Sequence, residues 1–192
     1  TTSAENWSME ELSSVSIDDE KAGETIVDYL IEHGHTKIAE IGANLELSQT
    51  ARLRHNGYLN SLKKHGITPD ERYYERARFS YDSAYRAMKK LLEKDIEITA
   101  VYAISDVMAI GALRAILDKG LRVPEDISIT GFDGSTLAEY YNPKIVSIRQ
   151  PHKDMAARSV ELLFNMIDLH KGSCHEIISF ELTEGESVAR ID

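Results

Sequence analysis

The stretch AVYAISDVMAIGALRAILDKGLRVPEDISITGFD, residues 100–133, decides the fold. Its first residues, Ala100–Ile104, are almost all apolar, which is typical of a buried strand. Asp106–Lys119 then carries apolar side chains at helical spacing and stops at Gly120, and Ile127–Gly131 has the composition of a second strand. A strand, a helix and a strand in this order predict two parallel strands joined by a right-handed helical crossover.

The same alternation continues on both sides of this stretch. After about a dozen polar residues that are predicted to form a loop, helices are predicted over Asp18–His33, Ser48–His65, Asp82–Glu93 and Lys153–Leu169. The remaining strands are predicted over Lys37–Ile41, Tyr73–Arg78, Ile145–Ile148 and Glu176–Leu182. The sequence therefore predicts an α/β fold, an open and mostly parallel sheet with helices on both faces.

Composition excludes several classes of function. The 32 acidic residues outnumber the 22 basic ones, so the net charge of −10 would repel the phosphate backbone of a nucleic acid. A single cysteine, Cys174, rules out an internal disulfide and fits a reducing compartment. No apolar run approaches the roughly 20 residues that span a bilayer, and no signal peptide is visible. We therefore expect a cytoplasmic protein with no membrane partner.

Polar side chains follow the predicted strands at the points where those strands end. Because ligands of open parallel sheets bind beyond the carboxyl ends of the strands, these positions are the candidate binding site. In chain order the predicted contacts are Thr50, Arg54, Phe79, Ser105, Asp133 and Gln150, with Ser48 and Asp106 nearby. Short polar groups around one aromatic ring suit a small polyhydroxylated ligand, because its hydroxyls both donate and accept hydrogen bonds.

Each of these residues also has a purely structural explanation. Asp106 or Thr50 could cap the helix that follows it, and Arg54 could form a surface ion pair. Phe79 could be a core residue, and Asp133 could support an Asx turn. Convergence at the strand ends, rather than any single residue, favours the binding site.

Catalytic and metal-binding motifs are missing from the sequence. It contains no Gly-x-Ser-x-Gly, Walker loop, dinucleotide fingerprint or His-Glu-x-x-His, so we expect no enzyme activity and no cofactor. His33 and His35 lack a carboxylate or thiolate at a spacing that would complete a metal site, so no metal is expected. An enzyme using Asp106 and Asp133 as a carboxylate pair is the remaining catalytic alternative.

Five ordered motifs give the chain a specific resemblance. They are Val15–Asp18 leading into Gly34–Gly42 (GHTKIAEIG), Thr50–Arg54 with Gly57-Tyr58, Ser105–Gly111 (SDVMAIG), Val123–Asp133 (VPEDISITGFD) and Ser147–Gln150 (SIRQ). Over nearly its whole length the chain resembles LacI/GalR-type transcriptional repressors, in the carboxyl-terminal part of their effector-binding region, whose fold is that of periplasmic sugar-binding proteins.

The resemblance implies a function for the strand-end residues. Thr50, Arg54, Phe79, Ser105, Asp133 and Gln150 match positions that contact the effector in the family, where Asn is frequent at the position of Ser105. Family members act as homodimers and bind operator DNA through an amino-terminal headpiece, which is absent from this sequence. The effector, expected to be a sugar, shifts an equilibrium between two states of the repressor. Hexose, galactoside, pentose and a purine-like base all fit a pocket with one aromatic ring.

The resemblance also implies a division into two lobes. Residues 36–148 and 174–192 are expected to form a carboxyl-terminal lobe, and residues 1–35 and 149–173 to belong to an amino-terminal lobe that is largely missing. The sequence is therefore expected to be a shortened form of a longer chain, whose helices Asp18–His33 and Lys153–Leu169 have lost their packing partners. An extracytoplasmic sugar-binding protein of a transporter is the alternative function for the same fold.

Overall fold

The computed structural model describes residues 13–169 and 173–191, so the polar start of the chain lies outside the described residues. The chain folds as two compact units. Of the described residues, the large unit comprises 19–149 and 181–191, and the small unit comprises 13–18, 150–169 and 173–180. Within the described residues, no helix is both long and apolar enough to cross a membrane.

A six-stranded sheet forms the centre of the large unit. Its strands are β2 (Ile38–Gly42), β3 (Tyr74–Arg76), β4 (Ala100–Ala103), β5 (Ser128–Asp133), β6 (Val146–Arg149) and β8 (Glu181–Leu182). Their order across the sheet is β3-β2-β4-β5-β6-β8. Every pair is parallel except β6 with β8, which is antiparallel. The register aligns Ile38 with Ala100 and Ala100 with Ser128, so the predicted mostly parallel sheet is confirmed.

Helices cover both faces of this sheet. They are α1 (Asp19–Glu32), α2 (Gln49–Lys64), α3 (Tyr81–Glu93), α4 (Asp106–Asp118) and the short α5 (Thr136–Tyr140). α1 packs against α2, and α3 packs against α4. Chain connections from β2 to β3 and from β3 to β4 run in opposite directions, so right-handed crossovers place α2 and α3 on opposite faces.

Serine side chains begin four of these helices. Ser48, Ser80, Ser105 and Ser135 each accept a hydrogen bond from the backbone amide three residues ahead, at the start of α2, α3, α4 and α5. Such N-caps satisfy amide groups that have no partner within the helix. The serines therefore define where each strand-end loop stops and the helix starts.

The small unit contains a two-stranded sheet and one helix. β1 (Ser14–Ser16) pairs in parallel with β7 (His175–Ile177), and α6 (His152–Leu169) packs on β1. Arg158 of α6 makes a two-point ion pair with Glu176, with nitrogen–oxygen distances of 2.5 and 2.8 Å. The helix exposes apolar side chains at helical spacing, at Val160, Leu163, Phe164 and Ile167.

Most predicted elements are confirmed, with three differences. The predicted final strand Glu176–Leu182 is two strands, because β7 pairs in the small unit while β8 joins the large sheet. β1 and α5 were not predicted, since three and five residues are too few for a clear periodicity.

The division of the chain also differs from the predicted one. Residues 1–35 were assigned to a separate amino-terminal lobe, but α1 packs on α2 inside the large unit. Its buried side chains Ala22, Gly23, Ile26, Val27 and Leu30 face that unit, so this helix has not lost its partner. Residues 174–180, predicted in the carboxyl-terminal lobe, belong to the small unit because β7 pairs with β1.

Candidate functional site

The strand order reverses at β2 and β4, whose carboxyl ends therefore border the crevice expected for this fold. The chain leaves β2 for β3 on one side and reaches β4 on the other, so the loops after β2 and β4 diverge at this point. In open α/β sheets such a reversal of strand order is where ligands bind. Four of the predicted contacts lie at the end of β5, in the loop after β4 or on the helix after β2, namely Thr50, Arg54, Ser105 and Asp133.

Arg54, on α2, reaches the ends of β4 and β5 and is buried, with 5% of its surface exposed. Its Nε donates to Oδ1 of Asp19 at 2.8 Å, and Nη1 donates to the carbonyl of Ile104 at 2.6 Å. Nη1 is also 3.5 Å from Oδ1 of Asp133. The guanidinium plane lies 3.5 Å from the ring centroid of Phe132. Arg54 therefore links α1, α2 and the ends of β4 and β5, and it is not the surface ion pair considered above.

Asp133 ends β5 in an unusual backbone conformation. Its φ of 112° is positive, which is rare for residues other than glycine and costs about 1–3 kcal/mol. The side chain is 32% exposed while its partner Arg54 is nearly inaccessible to solvent. A strained turn that leaves one carboxylate open to solvent, beside a buried cation, is the expected geometry of a ligand contact.

A hydrogen-bond network holds the turn that carries Asp133. Asp106 accepts from the backbone amide of Ser135 and from the hydroxyl of Ser147, each at 2.6 Å. The same Ser147 hydroxyl accepts from the amide of Gly134 at 3.1 Å. Burial raises the pKa of Asp106, and the bonds from Ser147 and Ser135 oppose that rise. Both carboxylate oxygens of Asp106 therefore accept hydrogen bonds from the protein itself. This disfavours the alternative in which Asp106 and Asp133 form a catalytic pair.

Gly131 makes this network possible because β5 and α4 approach very closely. A Cβ atom at Gly131 would lie 2.3 Å from Oδ1 of Asp106, well inside contact distance. Only glycine fits at this position while Asp106 keeps its two hydrogen bonds.

Ser105 and Thr50 lie at the starts of the two helices that border the crevice. Ser105 is 3% exposed and caps α4, with its hydroxyl accepting from the amide of Met108 at 3.3 Å. Thr50 is the second residue of α2 and lies one helical turn before Arg54, on the same side of the helix. The cap of α2 is Ser48 and the cap of α4 is Ser105, so neither Thr50 nor Asp106 has the capping role considered for it.

Phe79 and Gln150 are the predicted contacts that follow β3 and β6. Phe79 precedes the cap of α3 and is 49% exposed, so it is not a core residue. Gln150 follows β6 and belongs to the small unit. The structure thus brings Arg54 and Asp133 together and leaves the part of Phe79 and Gln150 as a prediction.

Sequence reasoning missed the residues that hold the site in place. Asp19 accepts one of the two hydrogen bonds that Arg54 donates, yet an acidic residue in the first turn of a helix is also what the helix dipole favours, so its position alone does not indicate this contact. Ser147 and Ser135 support the Asp133 turn from a strand and a loop that are separate in sequence. These residues are far apart in the sequence, so no local pattern indicates that they support one site.

The arrangement suits recognition of hydroxyl groups. An exposed carboxylate accepts hydrogen bonds from two neighbouring hydroxyls, and charge-assisted bonds of this kind are stronger than neutral ones. Among residues 13–169 and 173–191, no group of three or more His, Cys, Asp or Glu side chains could hold a metal ion.

Comparisons with known proteins extend this result. Residues 27–188 match the model of the periplasmic binding protein-like domain family. The HTH-type transcriptional regulator MalR of Clostridium butyricum is 41% identical over 179 residues, 93% of this chain and 53% of that protein. The HTH-type repressor PurR of Pasteurella multocida is 39% identical, over 73% of this chain and 42% of that protein. The chain thus spans about half the length of these relatives.

Solved structures agree with the sequence relatives. The transcriptional regulator CelR in complex with cellobiose superposes with a TM-score of 0.89 and 33% identity, covering 95% of this chain and 56% of that one. A LacI family regulator from Enterococcus faecium with bound ribose has a TM-score of 0.88 and 26% identity, covering 97% and 69%. Both neighbours hold a carbohydrate in a fold that this chain shares.

Proposed function

Because this chain belongs to the periplasmic binding protein-like family, as the effector-binding region of a LacI/GalR-type regulator, we propose that its crevice binds a sugar and thereby controls transcription. The observation that carries the proposal is the strained, partly exposed Asp133 held against the buried Arg54. The proposed contacts are Thr50, Arg54, Phe79, Ser105, Asp133 and Gln150.

Asp133 and Arg54 have different parts in this proposal. Asp133 accepts hydrogen bonds from sugar hydroxyls, because its carboxylate is the more exposed of the two groups. Arg54 keeps that carboxylate in place and offers its remaining donors to a ligand oxygen. A polar group left unpaired in such a crevice costs affinity, so the set discriminates between sugars by their hydroxyl pattern.

The ligand class is supported by the named neighbours. Cellobiose and ribose occupy two regulators that share this fold, which favours a sugar over other small polar ligands. The transporter alternative is not favoured, since the relatives named above are HTH-type regulators. For the same reason we propose a cytoplasmic protein that is not an enzyme.

The coupling to transcription follows from the relatives. HTH-type regulators bind DNA, so we propose that the complete protein, as a homodimer, changes its affinity for operator DNA when the sugar binds. The size of that change equals the difference in sugar affinity between the two states of the protein. DNA binding would use residues outside this acidic chain.

A thermal-shift screen tests the proposal. A ligand that binds only the folded protein raises its melting temperature. At a ligand concentration about a hundredfold above Kd, the free energy of unfolding rises by about 2.7 kcal/mol. We expect a shift with one class of sugar, lost in Asp133→Asn, which removes the charge but tolerates the positive φ. Asp126→Asn, in an exposed pair with Arg122, is the matched control and should keep the shift. No shift with any mono- or disaccharide, or a full shift in Asp133→Asn, would contradict the proposed site.

A further inference from the structure

A second cavity lies in the large unit, away from the strand-end crevice. It has a volume of about 570 Å³, within the range of small-molecule sites. Its walls come from α2, the loop after β2 and the segment that leads into β3, and they are formed mainly by Leu45, His55, Tyr58, Leu59, Pro69 and Tyr74. None of the residues proposed to bind the sugar lines this cavity.

A buried ion pair lies behind this cavity. Glu40, in the middle of β2, is completely buried, and its Oε2 is 2.6 Å from Nδ1 of His55. Its other oxygen, Oε1, is buried without a hydrogen-bond partner among the described residues. The neighbours of Glu40 in β2 are apolar, and an apolar residue there would avoid a desolvation cost of several kcal/mol. Structural stability therefore does not explain the pair.

Aromatic rings fix the walls around His55. The hydroxyls of Tyr58 and Tyr74 donate to the carbonyls of Ile38 and Ala43, at 2.9 and 2.7 Å. The centroid of the His55 ring is 6.2 Å from that of Tyr58 and 5.2 Å from that of Tyr74. Because both hydroxyls are used by the backbone, these rings offer apolar surface to a ligand. Such a rigid wall binds with little loss of side-chain entropy.

The hydrogen-bond donor that this cavity offers to a ligand is the imidazole of His55. Nδ1 of His55 is held by Glu40, and no hydrogen bond to Nε2 is present within residues 13–169 and 173–191. Although burial opposes it, the hydrogen bond and charge of the Glu40 carboxylate raise the pKa of His55, which widens the pH range over which both ring nitrogens carry a proton and Nε2 can donate. Asp70 and Glu71 also border the cavity and disfavour an anion.

We propose that this cavity is a second ligand site, which binds a small neutral aromatic compound whose carbonyl oxygen accepts a hydrogen bond from Nε2 of His55. The ring would pack between Leu59 and the two tyrosines, while the oxygen reaches the imidazole. Glu40 has a positioning role, since its carboxylate orients the ring through Nδ1 and stabilises the doubly protonated imidazole, whose Nε2 is then a donor.

Benzamide is a suitable probe, with toluene as the same ring without an acceptor and benzoate as an anion. The chain is titrated with each compound while the ring resonances of Tyr58 and Tyr74, which line the cavity and are kept in every variant, are followed by NMR. We expect saturable shifts with benzamide, and affinity at least about tenfold weaker for toluene, since a hydrogen bond to a charged group adds roughly 1.5–3 kcal/mol. Benzoate is expected to bind more weakly than benzamide.

Two variants keep this proposal falsifiable. The double variant Glu40→Leu/His55→Phe replaces the ion pair with apolar groups, which is often neutral for folding, and should bind benzamide no better than toluene. Leu59→Trp should fill the cavity and abolish binding of both, whereas Leu47→Trp, at a residue 85% exposed, should change nothing. Absence of saturable shifts in the unaltered chain, or unchanged benzamide affinity in either cavity variant, would overturn the proposal.

The proposed sugar site and the proposed second site can be refuted independently of each other. Asp133→Asn should leave benzamide binding unchanged, and the cavity variants should keep the thermal shift with sugar. Loss of both responses in one variant would mean that the variant is unfolded, which circular dichroism would show.

Discussion

Replacing Arg54 by methionine tests whether the crevice depends on one buried cation. Methionine has a similar length and keeps the apolar stem, but it removes both hydrogen bonds and the charge above Phe132. Asp19 would keep a carboxylate whose side chain is only 12% exposed, and the carbonyl of Ile104 would lose its donor. The perturbation therefore leaves one largely buried carboxylate and one carbonyl without the donor that Arg54 supplies.

The expected loss can be worked from this geometry. Breaking a buried ion pair by removing one partner costs about 3–5 kcal/mol, because the other charge stays desolvated. For a protein of this size, 1 kcal/mol lowers Tm by roughly 2–4 °C, so Tm should fall by about 6–20 °C. The loss is a large share of the roughly 5–15 kcal/mol that stabilises a typical domain.

The assay is urea unfolding of Arg54→Met, Asp19→Asn and the double variant. Asp19→Asn removes the partner charge, so the double variant should be less destabilised than the sum of the single ones. Arg122→Met is the matched control, because Arg122 also makes a two-point pair with an aspartate but is 67% exposed, and it should change stability little. If Arg54→Met were as mild as Arg122→Met, the central role of the buried guanidinium would be refuted.

Three further predictions follow from other parts of the large unit. Asp106→Asn should lower the free energy of unfolding in urea by about 1.5–3 kcal/mol and weaken sugar binding, because an amide oxygen can accept only one of the two hydrogen bonds that hold the Asp133 turn. Unchanged sugar affinity would mean that this turn does not contribute to binding. Gly57→Ala should cost about 1–3 kcal/mol or more, since its Cβ would lie 2.2 Å from an α1 carbonyl, whereas Gly66→Ala, in open space, meets only the strain of its φ of +71°. The pKa values of Glu40 and His55 are both raised on folding, so their contribution to the free energy of unfolding is fully present at low pH and is lost as pH rises from about 4.5 to beyond 6.5. The stability advantage of the unaltered chain over Glu40→Gln should therefore be larger at pH 5 than at pH 8. A pH-independent difference in thermal melts would contradict this.

Local periodicity was sufficient to predict the long helices and the parallel strands of the large sheet. α4, for example, has the apolar spacing, the preceding serine and the following Gly120 that helix formation requires, and all of these lie within 16 residues. The alternation of such elements then restricts the topology, since right-handed crossovers bring all carboxyl ends of parallel strands to one edge. That restriction is why Arg54 and Asp133, 79 positions apart, could be predicted to meet.

Short elements and domain borders were not predictable in the same way. β7 and β8 read as one strand, because the choice between pairing with β1 and pairing with β6 depends on backbone partners more than 30 residues away. α1 was assigned to the wrong lobe for the same reason. Its amphipathic pattern shows that one face is buried, but the pattern does not name the surface that covers it.

The sequence by itself determined the fold class and the strand-end positions of the proposed contacts, because these depend on patterns within a few helical turns. Only the tertiary structure decided which of those residues are buried, which carboxylate faces solvent and which polar groups hold the others in place. Arg54, Asp19 and Asp133 come from three different elements, and their energies depend on the water excluded when those elements pack. Burial is a property of the whole fold, so no local stretch of sequence encodes it.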